Sequence, residues 1–202
     1  MKPIAAFFKL IRWTNLLFIV LTQLLFYFCV FVPLYHPAVA PLRLAWLLAA
    51  SVFIAAAGYI INDYFDLNID LVNKPNKNVI NRVISRRWAI FWHAALSGLG
   101  ILATVFAVGF HKGYLIIANV VVVLLLWLYS TSLKKKLLIG NILISALTAW
   151  TILILYITCL RDWFLMTAPA GLDVQYMSAE TKLFKFAILY AGFAFIISLI
   201  RE

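Results

Sequence analysis

Six apolar runs separated by short polar stretches organise the chain: Leu16 to Val32, Leu42 to Ile61, Trp88 to Phe110, Tyr114 to Thr131, Leu137 to Leu160 and Leu183 to Ile200. About 20 residues of helix cross the hydrocarbon of a bilayer, and each run is near that length. The pattern predicts an all-α, polytopic transmembrane protein with six helices. One departure from it stands out. Directly after the second run come Asn62-Asp63-Tyr64-Phe65-Asp66-Leu67-Asn68-Ile69-Asp70, which put three carboxylates at the end of a segment that should lie in lipid.

Composition agrees with the spans. Hydrophobic residues make up 66% of the chain and charged residues 12%, with a mean hydropathy of +1.03, which excludes a soluble domain. No linker or low-complexity tract divides residues 1–202, so they are expected to form a single transmembrane domain. Of the 17 basic residues, twelve fall on one side if the helices alternate: Lys2, Lys9, Arg12, Lys74, Lys77, Arg82, Arg86, Arg87, Lys134, Lys135, Lys136 and Arg201. Arg43, Lys112, Arg161, Lys182 and Lys185 fall on the other. The positive-inside rule then predicts a cytoplasmic amino terminus and a cytoplasmic aspartate run. The formal charge of +10 is mostly inner-leaflet anchoring, and because the basic residues are divided among short loops no nucleic-acid partner is expected. Cys29 and Cys159 sit in separate apolar runs without metal-ligand spacing and read as small buried hydrophobes. Arg161 to Lys182, with Pro169-Ala170-Gly171, reads as a solvated connector.

The aspartates carry the candidate chemistry. The chain has only seven acidic residues, and a charge within the bilayer costs about 2.5 to 3.5 kcal/mol on an insertion scale. At 100° per residue Asn62, Asp63, Asp66 and Asp70 fall within an arc of about 100°, so their oxygens can converge. Converging carboxylates need a counter-charge, and an oxygen-only set suits a hard divalent ion such as Mg2+ better than zinc. Asn73, Lys74, Pro75, Asn76, Lys77 and Arg82 follow, so the site could hold an anion as well. A diphosphate satisfies both halves, although a phosphate head group would fit without any reaction. Tyr129-Ser130-Thr131-Ser132-Leu133-Lys134-Lys135-Lys136 is a further candidate at the same side, or else an ordinary interfacial tyrosine and lysine belt.

The string Ile61 to Asp70, followed by Asn73-Lys74-Pro75-Asn76-Lys77, resembles the first aspartate-rich motif of the UbiA superfamily of intramembrane prenyltransferases. The Tyr129-Ser130 to Lys134 stretch is similar to that family's tyrosine and lysine signature, and Arg12 to Asn15 resembles the start of its first helix. The resemblance implies a helical bundle around a cavity, with a magnesium-diphosphate site and an apolar tunnel for a prenyl chain. It nominates Asn62, Asp66 and Asp70 as metal ligands, Asp66, Asp70, Tyr129 and Lys134 as catalytic groups, and Asn62, Asp63, Lys74, Lys77, Arg82 and Asn15 as substrate contacts. Two departures are visible. Asn78-Val79-Ile80-Asn81-Arg82 stands where the family commonly has proline, serine and glycine. The family fold also has nine helices and a second aspartate-rich motif after the sixth, whereas this sequence ends at Leu199-Ile200-Arg201-Glu202. A fragment or truncated gene product is therefore expected, incomplete at its carboxyl end.

What the resemblance implies is Mg2+-dependent transfer of a prenyl group from an allylic prenyl diphosphate to a membrane lipid acceptor, with a (geranylgeranyl)glycerol phosphate ranked first. An aromatic quinone precursor is the alternative acceptor. A non-catalytic membrane protein or a transporter is the alternative class, although no internal repeat of the transporter kind is visible. A CDP-alcohol phosphotransferase would need Asp-Gly and Ala-Arg pairs, and neither occurs. A diphosphate held from one side only loses charge stabilisation worth on the order of 2.7 to 4 kcal/mol in a transition state. Purified residues 1–202 are accordingly expected to be inactive alone, and a transfer rate like that of a longer relative would contradict this.

Overall fold

A computed structural model of the chain describes residues 3–35, 40–73, 79–80, 83–136, 138–167 and 174–201. Among them, six helical stretches are long and apolar enough to cross a membrane: Trp13–Leu34, Pro41–Leu67, Arg86–Val108, Gly113–Thr131, Ile139–Cys159 and Glu180–Ile200. These are the six runs read from the sequence. The helices are α1 (Pro3–Leu10), α2 (Trp13–Phe26), α3 (Val32–Tyr35), α4 (Pro41–Asn73), α5 (Arg86–Val108), α6 (Gly113–Thr131), α7 (Ile139–Thr167) and α8 (Val174–Arg201).

Local chemistry explains most boundaries. Arg12 takes a left-handed conformation, φ 51°, between α1 and α2, so the short first helix turns away from the first span. A wide π turn, Tyr27–Phe31, joins α2 to α3, with the Val32 N–H donating to the Tyr27 carbonyl. Pro33 is the reason, since its ring would clash with the carbonyl four residues earlier in a regular helix. Ser85 caps α5, its Oγ accepting the Trp88 N–H at 3.4 Å. Gly109, at φ 71°, closes the other end.

Three elements differ from expectation. α4 runs beyond its apolar stretch to Asn73 and carries the whole aspartate run as helix, because Pro75 is the first helix breaker after it. α7 and α8 also take up most of the expected connector, reaching Thr167 and starting at Val174, so that Pro169 and Gly171 fall in the gap between them. Residues 168–173 lie outside the described part.

Starts of α2, α5 and α7 and ends of α4, α6 and α8 lie together at what is termed here the motif end. α4 is central, packing on α1, α2, α5 and α6, while α8 rests mainly on α7. Gly100 lets α5 approach α4 closely: a Cβ there would lie 2.6 Å from Ile54 Cγ1 and 3.3 Å from the Ile54 nitrogen. Gly58 does the same for α4 against Leu126 of α6, at 3.0 Å.

Among the described residues, buried apolar side chains form two clusters rather than one. The first, at the motif end, includes Ala6, Leu10, Leu16, Ala57, Ile60, Leu67, Ile80 and Leu96. The second, at the opposite end, includes Phe26, Phe31, Leu47, Val108, Leu115, Ile152 and Leu155. A polar layer lies between them along the helices. Gln23 of α2 is fully buried and donates from Nε2 to Ser51 Oγ of α4 at 2.9 Å and to the Thr151 carbonyl of α7 at 2.7 Å. Asn119 of α6 donates to Thr104 Oγ1 of α5 at 2.8 Å and accepts from Trp150 Nε1 of α7 at 3.1 Å. Thr104 in turn donates to the Gly100 carbonyl at 2.9 Å. In lipid these groups have no water to bond, so the layer joins the helices.

Bonds of this kind contribute about 0.6 kcal/mol each, up to about 1.7 kcal/mol. Asn119→Leu breaks two of them and strands the Trp150 indole N–H, while the Thr104 hydroxyl keeps its bond to the Gly100 carbonyl. It is expected to lower unfolding free energy in detergent by about 1 to 2 kcal/mol, read from the midpoint of an SDS titration. An unchanged midpoint would contradict the tie between α5, α6 and α7.

Candidate functional site

The last turns of α4 face two different neighbours, and each takes one carboxylate. Asp63 faces the junction of α1 and α2. Arg12 donates from its guanidinium to Asp63 Oδ1 at 2.8 Å, and the same guanidinium lies 5.1 Å from the Tyr59 ring centroid, one turn earlier on α4. The left-handed backbone at Arg12 aims the side chain there from the start of α2. Asn15 sits in the first turn of α2, its N–H donating to the Arg12 carbonyl at 2.8 Å, so it lies at the same end.

Asp66 faces the turn between α6 and α7. There the Lys134 ammonium forms an ion pair with Asp66 Oδ1 and approaches Asn62 Oδ1 at 3.4 Å. Asn62 closes the triangle by donating from Nδ2 to Asp66 Oδ2 at 3.0 Å, one helical turn apart. Exposures of 14% and 24% for the Lys134 and Asp66 side chains make this a partly desolvated pair, whereas Arg12 is 43% exposed.

Lys134 owes its position to a tightly folded turn. α6 ends at Thr131, a single 3-10 turn, Leu133–Lys135, follows, and Leu138 at φ 68° reverses the chain into α7. Gly140 then passes so close that a Cβ on it would lie 3.0 Å from both the Leu133 carbonyl oxygen and Lys134 Cα, and 3.3 Å from Tyr129 Cε2. Only glycine allows that approach without moving the turn. Tyr129 is thereby set beside Lys134, against the start of α7. Beneath the motif Val79 and Ile80 return the following loop to the core, at 7% and 1% exposure.

Sequence reasoning grouped Asn62, Asp63, Asp66 and Asp70. The structure brings Asn62, Asp66 and Lys134 together and turns Asp63 aside to Arg12. Asp70 follows on α4 one turn beyond Asp66, with its side chain outside the described part, and Lys74, Lys77 and Arg82 lie outside the described residues. Arg12 was legible only as part of a family-like string, and Gly140 carried no signal at all. No group of three His, Cys, Asp or Glu side chains occurs among the described residues. The oxygens of Asn62 and Asp66 nonetheless converge on a cation, the Lys134 ammonium, and that donor chemistry fits a hard divalent ion.

A family model described as the UbiA prenyltransferase family matches residues 24–200. A digeranylgeranylglyceryl phosphate synthase of Methanoregula boonei is 35% identical over 103 residues, covering 51% of this chain and 36% of that protein. The synthase of the same name from Sulfurisphaera tokodaii is 32% identical over 146 residues, covering 72% and 50%. That from Ignicoccus hospitalis is 42% identical over 105 residues, covering 52% and 33%. The chain spans between a third and half the length of these curated relatives. A solved structure concerned with digeranylgeranylglyceryl phosphate synthase in membranes aligns at a TM-score of 0.65 and 22% identity, over 98% of this chain and 80% of its own, and shares the fold. With the family match running from within the first span to the end of the sixth, the chain belongs to the UbiA prenyltransferase family.

Proposed function

We propose that the protein serves in the transfer of a prenyl group from an allylic prenyl diphosphate to a lipid acceptor, with a (geranylgeranyl)glycerol phosphate as that acceptor. The observation that carries this reading is the meeting of Asn62, Asp66 and Lys134 where two apolar spans end. Oxygen donors and a cationic donor stand side by side there, as the two halves of a metal-diphosphate site require. The names of the curated relatives support the glycerol phosphate acceptor over the quinone precursor.

Each residue has a part in the proposed reaction. Asn62 and Asp66, with Asp70 a turn further on, supply oxygens for Mg2+. When bound, the ion would neutralise charge on the diphosphate leaving group as the allylic carbon–oxygen bond breaks. Lys134 offers N–H donors to the phosphate oxygens, and Tyr129 flanks it at the reacting end. Lys74, Lys77 and Arg82 are proposed to hold the remaining phosphate charge, and Asn15 and Asp63 to border the substrate. The apolar spans that carry the site keep water from the allylic cation until the acceptor oxygen attacks.

We further propose that the motif end is cytoplasmic. Lys9, Arg12, Arg86, Arg87, Lys134, Lys135, Lys136 and Arg201 fall there among the described residues, against Arg43, Lys112, Arg161, Lys182 and Lys185 at the other end.

Deleting the gene is expected to deplete an ether lipid of the native membrane, measured by mass spectrometry of extracted lipids. An Asp66→Asn copy is expected to restore synthesis at least about 100-fold more slowly than the native one. Loss of a quinone with the ether lipid intact would move the acceptor to the aromatic class, and full activity of the Asp66→Asn protein would remove the site itself.

A further inference from the structure

We propose that Lys134 is a built-in competitor for the cation site, its ammonium held by the Asn62 and Asp66 oxygens until an anion draws it off, so that a divalent ion binds tightly only together with diphosphate. This rests on the metal-diphosphate reading above and adds an order of binding to it.

The triangle is closed on itself. Asp66 Oδ1 receives Lys134, Asp66 Oδ2 receives the Asn62 amide at 3.0 Å, and Asn62 Oδ1 faces the same ammonium at 3.4 Å. A divalent ion cannot use these oxygens while the ammonium is there, because both cations would contact one carboxylate oxygen and repel each other. Its arrival alone therefore requires the lysine to leave without a new partner, in a site whose side chains are only 14% and 24% exposed.

Diphosphate changes that balance. It offers the ammonium more negative charge than one carboxylate does, so Lys134 can exchange Asp66 for a phosphate oxygen and release both ligands together. The backbone does not need to move. The turn is braced by Leu138 and Gly140, whereas a four-carbon stem with rotatable donors lets the ammonium swing. Arg12 makes the contrast plain: its guanidinium is shared between Asp63 and the Tyr59 ring, so that pair is clamped from two sides.

The test is Mn2+ binding by equilibrium dialysis of the detergent-solubilised protein, at fixed free Mn2+, with and without inorganic diphosphate. Wild type is expected to bind Mn2+ weakly alone and more tightly with diphosphate. Lys134→Gln is expected to bind Mn2+ alone about three- to tenfold more tightly and to lose most of the gain from diphosphate. Lys134→Arg, which keeps the charge and can grip a carboxylate through two N–H groups, is expected to bind Mn2+ alone more weakly than wild type. If Lys134→Gln does not fold, the arginine variant decides, and binding equal to or tighter than wild type overturns the proposal. Equal Mn2+ affinity in wild type and Lys134→Gln, with Asp66→Asn still reducing it, also overturns the competitor while leaving the cation site standing. Mn2+ binding unchanged by Asp66→Asn in every form overturns both.

Discussion

Carboxylates at the end of a membrane helix have to be neutralised, and how this chain does so sets the arrangement of everything near them. α4 presents Asp63 and Asp66 toward different sides, and each is met by a cation from a separate part of the chain, Arg12 before the first span and Lys134 after the fourth. These two pairs bring three chain segments to one depth. The Lys134–Asp66 pair is partly desolvated, at 14% and 24% exposure, so leaving that carboxylate unmatched would cost more than an exposed charge does. The motif therefore organises the bundle end that carries it as well as supplying candidate ligands.

Support for that end comes from the division of the interior into two apolar clusters with a polar layer between them. Packing alone gives little preference among helices in lipid, because the tails are as apolar as leucine. Directional bonds from Gln23 and Asn119 supply it, joining α2, α4 and α7 through one side chain and α5, α6 and α7 through the other. Close approach at Gly58 and Gly100 then holds α4 against its neighbours. The result is a rigid base on which a short turn can hold Lys134 over Asp66.

Much of this could be read from the chain, for physical reasons that also mark where reading stops. Spans were legible because lipid demands long apolar runs, and Asn62 and Asp66 because helical periodicity places residues four apart on one face. Lys134 entered as a candidate with an ordinary interfacial alternative, and only its contact 68 residues back along the chain separates the two. Asp63 was grouped with the ligands since its angle on the helix allows it, yet a partner 51 residues away turns it aside. Long-range pairing of that kind leaves no periodic trace. Asn119, Thr104 and Trp150 look like unremarkable polar interruptions until the fold joins them. Lys112 was read only as one of the basic residues of the other end, but it is buried to 1% exposure with its Nζ donating to the Thr158 carbonyl at 3.3 Å. By contrast the π turn did have a signal, Pro33, four residues after the carbonyl it would strike.

Arginine and lysine are placed here in the roles their chemistry suits. A planar guanidinium can satisfy a carboxylate and lie over an aromatic ring at once, and Arg12 does both, so Asp63 has a partner with two reasons to stay. An ammonium is a compact charge with no such second attachment, and Lys134 reaches Asp66 and Asn62 through its tip alone. Exchange of those residues would give the bundle the same net charge and nearly the same volume, but would clamp the carboxylate proposed to accept a new cation and loosen the one that Arg12 now holds from two sides. Net charge at the motif end therefore does not determine its behaviour; which cation meets which carboxylate does.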